Sequence, residues 1–154
     1  MFIHFMSVIT YNREDVVDHR GIAAVIKNEQ GEILMQEHVK YGFWTIPVGK
    51  VKYGQNILEG LKEEIFDECN LVIKRFKEIT SRNFIYQRNG KRVIVSSHLF
   101  EVVEYSGVMK NNEFEKHSTQ LFMDLERIKK LPYLSDMTLL YLETLGFKRN
   151  AHLS

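Results

Sequence analysis

Short apolar runs bounded by turn residues dominate the first third of the chain. Residues 2–11 and 21–28, the latter containing Gly21-Ile22-Ala23-Ala24-Val25-Ile26, predict strands, and Asn28-Glu29-Gln30-Gly31 predicts a turn. Ile33-Leu34-Met35 continues the hairpin. Residues 43–55 carry Trp44, Pro47, Gly49 and Gly54 and predict an irregular loop. The period then changes. Leu58, Leu61, Ile65 and Cys69 follow one another at spacings of 3, 4 and 4, one apolar stripe of a helix over 57–69. Asn56 is placed to cap it, with Glu59 three residues on. Strand-like runs follow at 71–80, 83–87 and 91–104, with Asn89-Gly90 as a hairpin turn between the last two. A polar stretch at 106–117, a strand at 120–123, a short helix near 125–130 and an amphipathic helix at 136–145 complete the pattern. The fold class is mixed α/β (α+β), with antiparallel hairpins and a helix placed directly after a glycine-bearing loop.

Composition narrows the chemistry. The 154 residues fit one domain spanning 1–154, and the two prolines and the absence of a Ser/Gly-rich linker mark no boundary. Lys and Arg number 21 against 20 Asp and Glu, a net charge of +1 that argues against an extended nucleic-acid groove but leaves room for a local anion site. One cysteine, Cys69, excludes an intrachain disulfide and a thiolate zinc site. No apolar run approaches the ~20 residues needed to cross a bilayer, and the first residues lack the basic start of a signal peptide. The expectation is a cytoplasmic protein without a membrane partner.

The informative segment is the helix over 57–69. Glu59, Glu63, Glu64, Asp67 and Glu68 crowd into ten positions, and Glu64, Asp67 and Glu68 stand at i, i+3 and i+4. Like charges at this spacing destabilise a helix by roughly 0.2–0.5 kcal/mol per pair, and anions near a helix C-terminus oppose its dipole. A hard divalent cation resolves both conflicts, since Mg²⁺ takes carboxylate oxygens together with substrate phosphates. The competing reading is a solvated acidic face balanced by Lys62, Lys74 and Lys77. Cys69 falls on the apolar stripe and reads as packing, not as a nucleophile.

The stretch Gly49-Lys50-Val51-Lys52-Tyr53-Gly54-Gln55 through Glu63-Glu64-Ile65-Phe66-Asp67-Glu68-Cys69-Asn70-Leu71 resembles the Nudix box, G-x5-E-x7-R-E-U-x-E-E-x-G-U, where U is a bulky aliphatic residue. Trp44-Thr45-Ile46-Pro47-Val48-Gly49-Lys50 is similar to the W-x-x-P-G-G-K entry to that box, Gly21 to Gln36 resembles its strand-turn-strand lead-in, and 121–128 its exit, so the likeness covers roughly residues 20–145. Four box positions depart from the pattern: Gln55 stands for Glu, Glu63 for Arg, Asp67 for Glu and Asn70 for Gly. Val48 replaces the first glycine of P-G-G. The family's Glu–Arg salt bridge between loop and helix is thereby lost, and a Gln55–Glu63 hydrogen bond is its natural replacement. Asn70 retains tolerance of a left-handed helix cap.

The resemblance implies a Nudix-type α/β/α sandwich with a mixed sheet. It implies Mg²⁺-dependent hydrolysis, with Mn²⁺ as a substitute, of the pyrophosphate bond in a nucleoside diphosphate linked to another moiety: a nucleoside triphosphate, a nucleotide sugar or a dinucleoside polyphosphate. Glu64 and Glu68 become metal ligands and catalytic groups, joined by Asp67 and the Gly49 carbonyl. Glu115 is the first choice for an additional catalytic acid from the later loop, and Glu113 the second. Arg20, His38, Trp44 and Lys50, with Lys40 beside them, become contacts to a small-molecule nucleotide substrate. Tyr86 lies about where diadenosine-polyphosphate hydrolases of the family carry a tyrosine, and the proline that marks many ADP-ribose hydrolases is missing. Two other classes stay open: a non-catalytic nucleotide-binding module, which Gln55 and Glu63 permit, and an RNA cap-directed hydrolase. A homodimer partner could also shape the pocket.

Overall fold

A computed structural model describes residues 17–147; the strand expected at 2–11 lies outside them. Strand β1 (His19–Val25) pairs in parallel with the long strand β6 (Lys91–Ser106) and antiparallel with the short strand β4 (Val48–Lys50), while β5 (Val72–Arg88) pairs antiparallel with β6, giving a mixed sheet in the order β4-β1-β6-β5. A second, antiparallel sheet has β2 (Ile33–His38) between β3 (Trp44–Thr45) and β7 (His117–Met123). Helix α1 (Ile57–Cys69) packs on β1, β4 and β5, and α3 (Asp136–Thr144) packs on β6; the short α2 (Leu125–Lys129) precedes it.

Period-two alternation in β1 builds the sandwich. Ile22 and Ala24 face a core with Leu61, Ile65 and Cys69 of α1, whereas Ala23 and Val25 face a core with Met137, Leu140 and Tyr141 of α3. A strand buried on both faces reads as one continuous apolar run, as 22–26 does.

Local signals act as expected at the helix ends. The Asn56 side chain accepts from the Glu59 amide at 2.8 Å, and Asn70 closes α1 in the left-handed region (φ 65°), its amide donating to the Phe66 carbonyl. The hairpin turn after β5 has positive φ at both Asn89 (51°) and Gly90 (74°), the signature of a type I′ turn.

Three features differ from expectation. Segments 71–80 and 83–87 form one strand, because Ser81 and Arg82 stay paired in register with His98 and Ser97; the register shifts lie earlier, between Ile73 and Arg75, Arg75 and Phe76, and Glu78 and Thr80. The loop over 43–55 contains the short strands β3 and β4. On α1, Leu58 is 44% exposed and Ile57 packs on the core in its place, so the buried stripe runs through Ile57, Leu61, Ile65 and Cys69, with Glu68 fully buried beside it.

Candidate active site

Neighbouring elements treat the three acids of α1 differently. Glu68 is fully buried, Glu64 is half-buried and Asp67 is exposed. Glu68 lies against β2 and the loop before β7. Its Oε1 accepts from Gln36 Nε2 at 3.4 Å, and its Oε2 accepts from Lys116 Nζ at 3.2 Å. Gln36 is itself held by Gln120 of β7, Nε2 to Oε1 at 2.8 Å. Burial pushes the Glu68 carboxyl up to about 8; the Glu64 charge adds to the rise and the Lys116 ammonium opposes it. Glu64 is raised too, by burial first, with smaller contributions from Glu113 and Asp67. Burial acts most strongly on the Lys116 ammonium and pulls it down, but the Glu68 charge and hydrogen bond, with the Glu113 and Glu64 charges, together hold it above the usual lysine range.

Gly49 joins Glu64 of this pair to a cavity. Its α-carbon lies so close to Glu64 that a β-carbon there would meet Glu64 Cγ at 2.5 Å, and the same glycine lines a cavity of about 200 Å³. His19, Arg20, Lys50 and Arg88 bring positive charge and hydrogen-bond donors to that cavity, Phe43 and Tyr86 supply aromatic surface, and Ser97 and Asp136 supply polar groups. The Tyr86 hydroxyl donates to Asp136 Oδ2 at 3.3 Å. His19 is lowered by burial first and then by the Lys50 and Arg88 charges, which places three basic groups on one rim.

The loop between cavity and helix is tied down without the family's salt bridge. Gln55 Nε2 donates to Glu63 Oε2 at 2.9 Å, Lys52 pairs with the same carboxylate, and Arg20 Nη2 donates to the Gln55 carbonyl at 2.6 Å. Lys52 and Gln55 hold the Glu63 carboxyl below its ordinary range. Of the three lysines expected to balance the acidic face, Lys62 lies over the Phe76 ring and Lys77 pairs with Glu101, while Lys74 has no acidic partner among the described residues.

Several sequence candidates thus meet around β4 and α1, and others sit apart. Arg20, Lys50 and Gly49 line the cavity, with Glu64 directly behind Gly49. Trp44 packs into the core on the α3 side, and the neighbouring Phe43 lines the cavity instead. His38 stacks on Tyr41 and meets His117 edge-on, with ring centroids 5.6 Å apart, away from the cavity lining. Glu115 is exposed, and Glu113 is the loop acid whose charge acts on Glu64. Cys69 is buried, and burial pushes its thiol well up, as suits a packing residue. Sequence reasoning missed Gln36, Lys116, Arg88 and Asp136. Only Arg88 had a usable signal: it follows Phe84 and Tyr86 at spacing two on β5.

Among the described residues no three His, Cys, Asp or Glu side chains converge to enclose a metal ion by themselves. The donors that do gather are hard oxygens on Glu64, which lies against the Gly49 backbone, and on Glu68, a buried carboxyl group already drawing the Lys116 ammonium. That set fits Mg²⁺ or Mn²⁺, which usually take one or two carboxylates and complete their shell with water and phosphate oxygens.

The sequence profile of the NUDIX domain matches residues 17–140. The chain belongs to the Nudix family. Its described residues superpose on a MutT NUDIX hydrolase from Burkholderia pseudomallei with a TM-score of 0.68 at 24% identity, over 82% of this chain and 97% of that one. The NUDIX domain of Shewanella oneidensis NrtR, solved with ADP ribose, gives 0.65 at 11% identity over 88% and 95%. At such identities these likenesses establish the Nudix fold alone. A mouse protein, the 8-oxo-dGDP phosphatase NUDT18, is 35% identical over 54 residues, a match that takes in 33% of this chain and only 17% of that protein. No helix of this Nudix domain, among the described residues, is long and apolar enough to cross a membrane.

Proposed function

We propose that the chain is a pyrophosphohydrolase acting on a nucleoside diphosphate derivative, with nucleoside triphosphates the leading substrate class. One observation carries this reading: Gly49 lies directly against the Glu64 side chain and also lines the cavity to which Arg20, Lys50 and Arg88 contribute. A phosphate chain crossing Gly49 meets positive charge at one end and the acidic pair at the other. The cavity supports a single base, since about 200 Å³ is below the roughly 300–1,000 Å³ of pockets that enclose larger ligands.

In this reading Phe43 and Tyr86 flank the base, and Asp136 and Ser97 present polar groups to its edge. Arg20, Lys50 and Arg88 bind the phosphates. Glu64 and Glu68 hold the divalent cation, which supplies charge neutralisation and an activated water when bound. Glu113 is the loop acid placed to influence the proton on Glu64. The altered pair Gln55 and Glu63 stays structural, because its hydrogen bond and Lys52 hold the loop in place.

The test is a panel of nucleoside triphosphates (oxidised purines included), nucleotide sugars, dinucleoside polyphosphates, ADP-ribose and capped RNA, incubated with Mg²⁺ or Mn²⁺. Release of nucleoside monophosphate from one class, with pyrophosphate as the co-product where the substrate is a triphosphate, abolished by EDTA, is the expected outcome. Binding without turnover across the whole panel would make the chain a nucleotide-binding module instead.

A further inference from the structure

The Glu68 carboxylate has its two oxygens committed in different ways. Oε1 faces Gln36, a fully buried amide locked to Gln120. Oε2 faces Lys116, whose side chain is 43% exposed. The Lys116 backbone is pinned on both sides: its amide donates to the Glu113 carbonyl at 3.0 Å and its carbonyl accepts from the Val39 amide at 3.0 Å. The loop that carries it is fixed to the end of α1, with Asn112 donating to the Glu68 carbonyl and Lys110 to the Cys69 carbonyl. The four-carbon stem is therefore the mobile part, and it connects a buried carboxylate to solvent.

We propose that Lys116 is the resident counter-ion of the carboxylate pair, and that a divalent cation must displace its ammonium from Glu68 to bind. This rests on the reading that Glu64 and Glu68 hold the cation, and it assigns to Lys116 the control of how tightly they do so. Without a cation, the Lys116 ammonium is the ion-pair partner of whatever negative charge Glu68 carries in this buried place. A divalent cation held by Glu64 and Glu68 would compete with this ammonium for the Glu68 carboxylate and repel it strongly in so buried a place. The ammonium moves outward because its backbone cannot. Lys116 is thus a positioning residue that lowers cation affinity.

The experiment is Mn²⁺ titration followed by electron paramagnetic resonance of the free ion, on the parent, Lys116→Gln, Lys116→Met, Glu68→Gln and the Lys116→Gln/Glu68→Gln double variant. Thermal melting in EDTA confirms that each is folded. Both Lys116 variants should bind Mn²⁺ on the order of tenfold more tightly than the parent. In the Glu68→Gln background the Lys116 change should have no effect. Melting in EDTA should be lower for Lys116→Met than for the parent, and saturating Mn²⁺ should close that gap. Equal or weaker Mn²⁺ affinity in both Lys116 variants would overturn the inference while leaving the cation site standing. No Mn²⁺ binding by any of the proteins would overturn the site reading and the inference together.

Discussion

Glu64 reaches the backbone at residue 49 only because that residue is glycine: a β-carbon there would stand 2.5 Å from Glu64 Cγ and 2.7 Å from its Cδ and Oε2. The obstructing atoms belong to a flexible, half-buried side chain, so Gly49→Ala should be accommodated by Glu64 swinging aside. We therefore expect melting to change by no more than a few degrees while hydrolysis falls by at least about tenfold, some 1.4 kcal/mol of barrier. Parallel melting and single-substrate kinetics check it. A large loss of stability with unchanged specific activity would place Glu64 outside the site.

Glu68→Gln keeps shape and removes charge. Turnover should fall by on the order of 10²-fold, as for loss of a main electrostatic contributor. The stability effect depends on pH, with a sign that follows from burial. The folded carboxyl sits at about 8, above its ordinary 4.5, so the folded state holds a proton that the unfolded chain releases. The stabilisation this confers on the parent is complete below pH 4.5 and is lost as pH rises through about 8. Glutamine has no such dependence. Melting curves in EDTA should show the variant gaining on the parent across that interval and level above it; a constant difference would contradict the burial argument.

The pair Gln55 and Glu63 offers a charge-exchange test. Lys52 already pairs with Glu63, so Glu63→Arg alone sets two cations together and should lower the melting temperature. Adding Gln55→Glu supplies the arginine with a partner across the 2.9 Å contact now made by the amide, and should restore stability. Activity of the double variant should stay within about tenfold of the parent. Loss of turnover in Glu63→Gln, with melting unchanged, would instead make Glu63 part of the chemistry.

His117 is fully buried, and neither ring nitrogen has a hydrogen-bond partner among the described residues. Burial lowers it to about 4, with smaller pushes from Lys116 and His38. The unfolded chain therefore takes up a proton near pH 6.5 that the folded state refuses. Stability from this residue is lost as pH falls from 6.5 towards 4. His117→Phe, measured against the parent by melting over that interval, should show a shallower decline. Parallel curves would mean that His117 takes up its proton in the folded state.

Much of the fold was legible in the sequence because its signals act between near neighbours. Asn56 and Asn70 cap α1 through atoms three or four residues away, Asn89-Gly90 turns the hairpin through its own backbone, and the apolar run at 22–26 announces a strand covered on both faces. The acidic helix was legible too, as was the replacement contact between Gln55 and Glu63, eight residues apart. The sequence could not say which of Glu64, Asp67 and Glu68 would be buried. A helix presents all three on one side, and the choice belongs to what packs against it. Gln36, 32 residues from Glu68, and Lys116, 48 residues away, enclose one carboxylate and leave Asp67 in solvent. The same holds for the cavity, where Arg20, Gly49, Arg88 and Asp136 meet only because β1, β4, β5 and the start of α3 converge. Charge and hydrogen-bonding capacity are properties of a residue type, but burial and the identity of a partner arise when distant segments meet.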